Sequence, residues 1–67
     1  MTPAEILAAR KALGLTQEQL AEVMGMRGKT TISEWEGGKR NPTAAAVRLM
    51  RAYLEGYRPQ DWPEGVK

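Results

Sequence analysis

Lys29, Thr30, Ser33 and Glu34 stand at i, i+1, i+4 and i+5, a spacing that gathers them on one side of a helix. Together they offer an ammonium donor, two hydroxyls and a carboxylate acceptor. Such a set hydrogen-bonds and carries charge. It is poorly suited to covalent catalysis, and nothing elsewhere in the sequence supplies what is missing. The chain has no cysteine and no histidine, and it has no phosphate-binding glycine loop. Its carboxylates fall on exposed helical faces and form no convergent pair, so an enzyme is not expected. The same two absences remove the disulfide and the usual ligands of a structural zinc site. No cofactor, metal or small-molecule substrate is anticipated. The bland alternative for the four residues is a solvated polar face.

With 67 residues the chain is one domain. A domain of that size buries roughly 60% of the surface its unfolded chain exposes, so caps, packing and self-association must stabilise a thin core. The longest uncharged apolar stretch, Thr43 to Val47, is far below the ~20 residues of a membrane span. The N-terminal segment also lacks the pattern of a signal peptide. A cytoplasmic protein without membrane association is the expectation.

The formal net charge of +2 is unevenly placed. Residues 27–58 carry Arg27, Lys29, Lys39, Arg40, Arg48, Arg51 and Arg58 against Glu34, Glu36 and Glu55, a local excess of +4. The flanking segments are each −1, with Glu5, Glu18 and Glu22 against Arg10 and Lys11 on one side, and Asp61 and Glu64 against Lys67 on the other. An anionic partner for the middle segment is implied, although charge alone also fits a solvated basic face.

The elements that must position these groups are four short helices. Thr2, Pro3 and Glu5 form a capping box with proline at the first helical position, opening a helix over about residues 3–13 that Gly14 stops. Thr16 and Gln19 repeat the box for a second helix, about 17–24, stopped by Gly25. The third helix is expected to start near Gly28 or Lys29 and to end at Gly37 and Gly38. Its apolar stripe is only Ile32 and Trp35, so most of its surface stays in solvent. After the Lys39 to Pro42 loop, Thr43 caps a fourth helix from Ala44 to about Gly56. That helix has two apolar stripes: Val47, Met50 and Leu54, and Ala46, Leu49, Tyr53 and Tyr57. One serves the core and the other needs a cover. The organisation is then a domain over residues 1–57 and a C-terminal tail over 58–67, anchored at most by Trp62.

Two short helices around a glycine hinge, the second with a polar outward face, look like a helix-turn-helix. One helix of such a unit braces across the DNA backbone while the next lies in the major groove. The residues also carry a closer resemblance. Leu15 to Ala21, then Ile32 to Arg40, then Pro42 resemble the Cro/C1-type (XRE-family) helix-turn-helix regulators, a likeness that covers about residues 4–54. It implies an all-α, four- to five-helix lambda-repressor-like DNA-binding domain.

By this resemblance Lys29, Thr30, Ser33 and Glu34 face base edges, where lysine donates to guanine and glutamate accepts from the cytosine amino group. Thr16, Gln17, Arg27, Thr31, Lys39, Arg40 and Asn41 lie along the phosphates. Capping by itself accounts for the identity of Thr16 and Gln17, and Glu34 has rival readings as a repeller of phosphates or a local ion-pair partner. Arg10 and Glu36 match a family pair that locks the first helix to the third. The turn is one residue longer than the usual family pattern, which places Gly28 at the N-cap of helix 3 and makes Arg27 the extra residue.

The uncovered stripe on helix 4 suggests a two-fold homodimer through Ala46, Leu49, Tyr53, Tyr57 and Trp62. The alternative is that Trp62 and the tail fold back over Tyr53 and Tyr57 and leave a monomer. The family's implied function is sequence-specific binding of double-stranded DNA at an inverted repeat, most often as a repressor of phage or mobile-element type. Autorepressors encoded beside anti-CRISPR genes are one such form. An antitoxin-type interaction module is the alternative.

Overall fold

The computed structural model describes residues 1–63 and 65; Glu64, Val66 and Lys67, the end of the expected tail, lie outside the described residues. Four helices follow one another, α1 Pro3–Ala12, α2 Gln17–Val23, α3 Thr30–Glu36 and α4 Ala44–Leu54, with no strand among the described residues. The fold is all-α, as expected. None of these helices is long and apolar enough to cross a membrane.

Side chains supply three of the four helix starts. The Thr2 hydroxyl accepts from the Glu5 amide at 3.1 Å, and the Thr2 amide donates back to the Glu5 carboxylate at 2.7 Å. The Thr2 amide and hydroxyl hold the Glu5 carboxyl below its usual pKa. Thr16 and Gln19 make the same reciprocal pair, both bonds 3.0 Å, and the Thr43 hydroxyl accepts from the Ala46 amide at 3.1 Å. Each cap satisfies amides that the first helical turn leaves without a backbone acceptor.

The four helix ends share one solution. At the end of α2, Gly25 turns the chain at φ +78, its amide bonds to the Glu22 carbonyl at 3.0 Å, and the Met26 amide bonds to the Ala21 carbonyl at 2.8 Å. This crossed pair is the Schellman motif, which needs a residue free to adopt the left-handed conformation. Paired bonds of the same pattern close α1 through Gly14 and Leu15, α3 through Gly38 and Lys39, and α4 through Gly56 and Tyr57.

The start of α3 departs from expectation. Its N-cap is Lys29, not Gly28, and the helix begins at Thr30. Lys29 has φ −74 and ψ −9 and makes no side-chain cap bond. Lysine has no acceptor with which to cap, and Gly28 has no side chain at all. No local signal therefore marks this helix start, and Met26, Arg27 and Gly28 are spent in the turn.

The core joins Ile6, Ala9 and Leu13 from α1 and its end to Leu15, Leu20, Ala21, Val23, Ile32 and Trp35, closed by Ala46, Met50 and Tyr53 of α4. The two-stripe reading of α4 gives way to a single buried line, Ala46, Met50 and Tyr53, at i, i+4, i+7. Ala46 and Tyr53, expected on a dimer face, are thus core residues of the protomer. Tyr53 is 1% exposed, and its hydroxyl donates to the Val23 carbonyl at 3.1 Å. That carbonyl belongs to the last turn of α2, which has no helical amide to bond, so α4 caps α2 through the core. Burial, with smaller contributions from Asp61 and Tyr57, pushes the Tyr53 phenol above its ordinary pKa.

The segment after α4 folds back. Trp62 meets Tyr53 edge to face with ring centroids 5.2 Å apart, and Tyr57 stacks parallel to Tyr53 at 6.1 Å. Arg58 donates to the Tyr53 and Tyr57 carbonyls at 2.7 and 2.9 Å, and its guanidinium lies 4.3 Å from the Trp62 ring centroid. A cation at a helix C-terminus completes its carbonyls and complements its dipole. Arg58 therefore serves the fold, although it counted toward the basic middle segment.

Removing only the Tyr53 hydroxyl tests the link between α2 and α4. Tyr53→Phe keeps the ring packing and is expected to lose about 1 kcal/mol of stability, read as a lower urea midpoint at unchanged slope.

Candidate nucleic-acid interface

A polar knot ties α1, α2 and α3 together. Arg10 on α1 forks onto Glu36 on α3, Nε to Oε2 at 2.6 Å and Nη2 to Oε1 at 3.2 Å. Its third nitrogen, Nη1, donates to the Leu15 carbonyl at 2.9 Å, and Gln17 Nε2 donates to Glu36 Oε1 at 3.0 Å. The resemblance led to the Arg10–Glu36 pair and to Gln17 as a support of the third helix, and the bond to Glu36 is the form that support takes. The Arg10 and Glu36 side chains are 15% and 9% exposed, which makes the pair far less screened than a surface ion pair. Burial pushes the Glu36 carboxyl up, but hydrogen bonds from Arg10 and Gln17 and the Arg10 charge outweigh it and hold the pKa below the usual value.

This knot fixes how α3 stands. Ile32 and Trp35 point inward at 0% and 3% exposure, while Lys29, Thr30 and Ser33 are exposed and Glu34 is half-buried. Those four side chains, with Gly37 and Lys39, line one shallow groove of about 400 Å³. All four residues expected to read bases thus share one surface. At Gly37 there is little room for a side chain, since a Cβ would meet the Ser33 carbonyl at 3.3 Å.

The expected phosphate contacts surround this surface unequally. Arg27, Lys39, Arg40 and Asn41 are exposed, and Thr31 is half-buried. Thr16 and Gln17 line a second groove with Arg10, Glu18 and Lys29. Lys29 borders both grooves, between the α3 face and the start of α2. The Thr16 hydroxyl accepts in the cap and keeps its proton to donate, and the Gln17 amide, with one N–H on Glu36, keeps a second. The capping and packing roles are therefore compatible with donation to an anion. The sequence offered Lys29 or a neighbour at helical spacing as an ion-pair partner for Glu34; the partner is instead Arg40 of the following loop, Nε to Oε1 at 3.6 Å. Of the residues expected at a dimer contact, Leu49 is half-buried against the core, Trp62 packs on Tyr53, and Tyr57 is 55% exposed. Leu54, from the other stripe, is 45% exposed beside it.

A carboxyl whose folded pKa lies below its unfolded value contributes stability in full above the ordinary carboxylate range. The contribution is lost as pH falls through the folded value. Glu36 is in that position. Glu36→Gln is expected to cost about 2 kcal/mol at neutral pH, and the variant should lose less further stability than the parent on acidification below about pH 4.5. Urea unfolding at a series of pH values measures both.

A family model described as helix-turn-helix matches residues 6–62, from within α1 to Trp62. Searches of curated proteins and of solved structures return no match to the chain. The match takes in nearly every residue that builds the knot and the polar face of α3, and on it the chain belongs to the Cro/C1-type helix-turn-helix family of DNA-binding transcriptional regulators.

Proposed function

We propose that the chain is a sequence-specific repressor of phage or mobile-element type, acting on its own or a neighbouring operon, with an anti-CRISPR-associated autorepressor as one such form. The observation that carries this reading is the division of α3, whose Ile32 and Trp35 are buried while Lys29, Thr30, Ser33 and Glu34 share one open groove. A helix held by its apolar side with donors and acceptors on the other fits the major groove, where each base pair presents a distinct donor and acceptor pattern. Lys29 suits guanine, Glu34 suits the cytosine amino group, and Thr30 and Ser33 are permissive. Thr16, Gln17, Arg27, Thr31, Lys39, Arg40 and Asn41 are assigned to the phosphates, which supply affinity without sequence choice.

The proposed assembly is a homodimer on an inverted repeat. Its contact is drawn around Leu54 and Tyr57, the large apolar side chains left exposed, with Leu49 at the margin. A two-fold axis uses one such patch twice and sets two copies of α3 about one turn of DNA apart. The rival reading, an antitoxin-type module whose tail grips a protein, would offer Trp62 to that partner. Trp62 is instead seated against Tyr53 under Arg58, and the regulator is preferred.

Selection of bound duplexes from random DNA at a stated, near-physiological salt tests the proposal. An inverted repeat with half-site centres about 10 base pairs apart is expected, and salt-sensitive binding with no enriched motif would overturn sequence-specific readout. Ser33→Ala should shift the preferred base at one position per half-site, with a mismatch penalty changed by about 1 kcal/mol; an unaltered profile removes Ser33 from the reading set. On the enriched duplex, Arg40→Gln should reduce the slope of log affinity against log salt by about one. An unchanged slope would show that Arg40 touches no phosphate.

A further inference from the structure

We infer that Glu34 and Arg40 form one coupled device, in which Glu34 withholds Arg40 from the phosphate backbone until a base edge takes the carboxylate. The inference rests on the reading of α3 as the DNA-reading helix. It starts from the backbone: the Lys39 and Arg40 amides both donate to the Glu34 carbonyl, at 2.9 and 3.3 Å. The loop after α3 is thereby folded back onto the residue it would have to act with. The side chains then meet, Arg40 Nε to Glu34 Oε1 at 3.6 Å, with 63% of the arginine and 32% of the glutamate side chain exposed. Among the described residues neither forms another ion pair.

An ion pair that open and that long is weak enough to exchange. A phosphate offers arginine several anionic oxygens in a geometry the planar fork can match, so it is the stronger partner. Taking it leaves Glu34 unpaired at the floor of a groove rich in acceptor atoms, the guanine and adenine N7, guanine O6 and thymine O4. A carboxylate held against acceptors and flanked by phosphates is repelled, and the repulsion cancels what Arg40 would gain, so the pair stays closed on such a base. A cytosine amino group removes the conflict, because it donates to Glu34 while Arg40 moves to the backbone. One base position then controls two contacts, and Glu34 determines specificity partly through Arg40 and not only through its own hydrogen bond.

The test uses the parent, Glu34→Gln, Arg40→Gln and the double variant, each bound to a mixed-sequence duplex across a salt series. On that duplex Glu34→Gln is expected to bind about two- to five-fold tighter than the parent. Its slope of log affinity against log salt should steepen by about one, because the freed arginine neutralises one more phosphate. In the Arg40→Gln background the same change should leave the slope where it was. An unchanged slope for Glu34→Gln overturns the coupling, and so does equal steepening with and without Arg40, which would make Glu34 a simple repeller of phosphates. A parent that binds no duplex in a salt-dependent way would overturn the DNA-reading assignment itself, an outcome distinct from either. Thermal melts of all four proteins check folding, and if Glu34→Gln does not fold, Glu34→Asp weakens the pair by retracting the carboxylate and is read in the same way.

Discussion

The pose of α3 depends on the Glu36 carboxylate. It takes two nitrogens of Arg10 and one of Gln17, so three helices are registered against a single group. Arg10 extends the tie to the Leu15 carbonyl in the connection between α1 and α2. Helices of seven residues, the length of α2 and α3, are too short to be stable alone, and apolar packing sets their separation more firmly than their rotation. Directional hydrogen bonds from a planar guanidinium supply the missing angular constraint. Gln17 connects this constraint to the outer surface, because the amide that meets Glu36 also lines the groove at the start of α2. Any shift of α2 against α3 would break a bond to a largely buried charge, which makes the relative pose of α2 and α3 stiff.

The ends of the helices were legible because their chemistry is local. Thr2 with Glu5 and Thr16 with Gln19 announce their boxes within four residues, and both form. Gly14, Gly25 and Gly56 mark the stops of α1, α2 and α4, and in the glycine pair after α3 it is Gly38 that takes the left-handed conformation. The start of α3 was misplaced for the same reason in reverse: Lys29 caps nothing, and the helix begins where the packing of Ile32 and Trp35 allows it. That packing depends on α1 and α2, which no window around residue 29 contains.

The long-range half of the candidate site was less legible. Lys29, Thr30, Ser33 and Glu34 were gathered correctly, because helical period alone puts them on one face, and the family likeness paired Arg10 with Glu36. The fate of α4 was not so accessible. Two stripes of similar apolar content differ little in sequence, and the buried line draws on both, with Met50 from one and Ala46 and Tyr53 from the other. Tyr53 turns inward, where its phenol donates to the C-terminal carbonyl of α2. The fold-back of Trp62 follows from that placement, since a ring edge-on to Tyr53 covers a side chain that would otherwise be the natural centre of a surface patch.

Arg58 and Arg40 show why a local excess of cations is a poor map of a binding surface. Both stand in the basic middle segment, yet Arg58 completes the carbonyls at the end of α4 and lies over an indole. It remains charged, but its donors are engaged and its position is set by the fold. Arg40 is loosely held by Glu34 on an open edge of the α3 groove. A phosphate competes with main-chain carbonyls and an aromatic ring at one position and with a single half-buried carboxylate at the other. The second competition is far easier to win. The capacity to bind an anion is therefore ranked by what each cation must release, and on that ranking the cations around the N-terminus of α3 and the loop that follows it stand first.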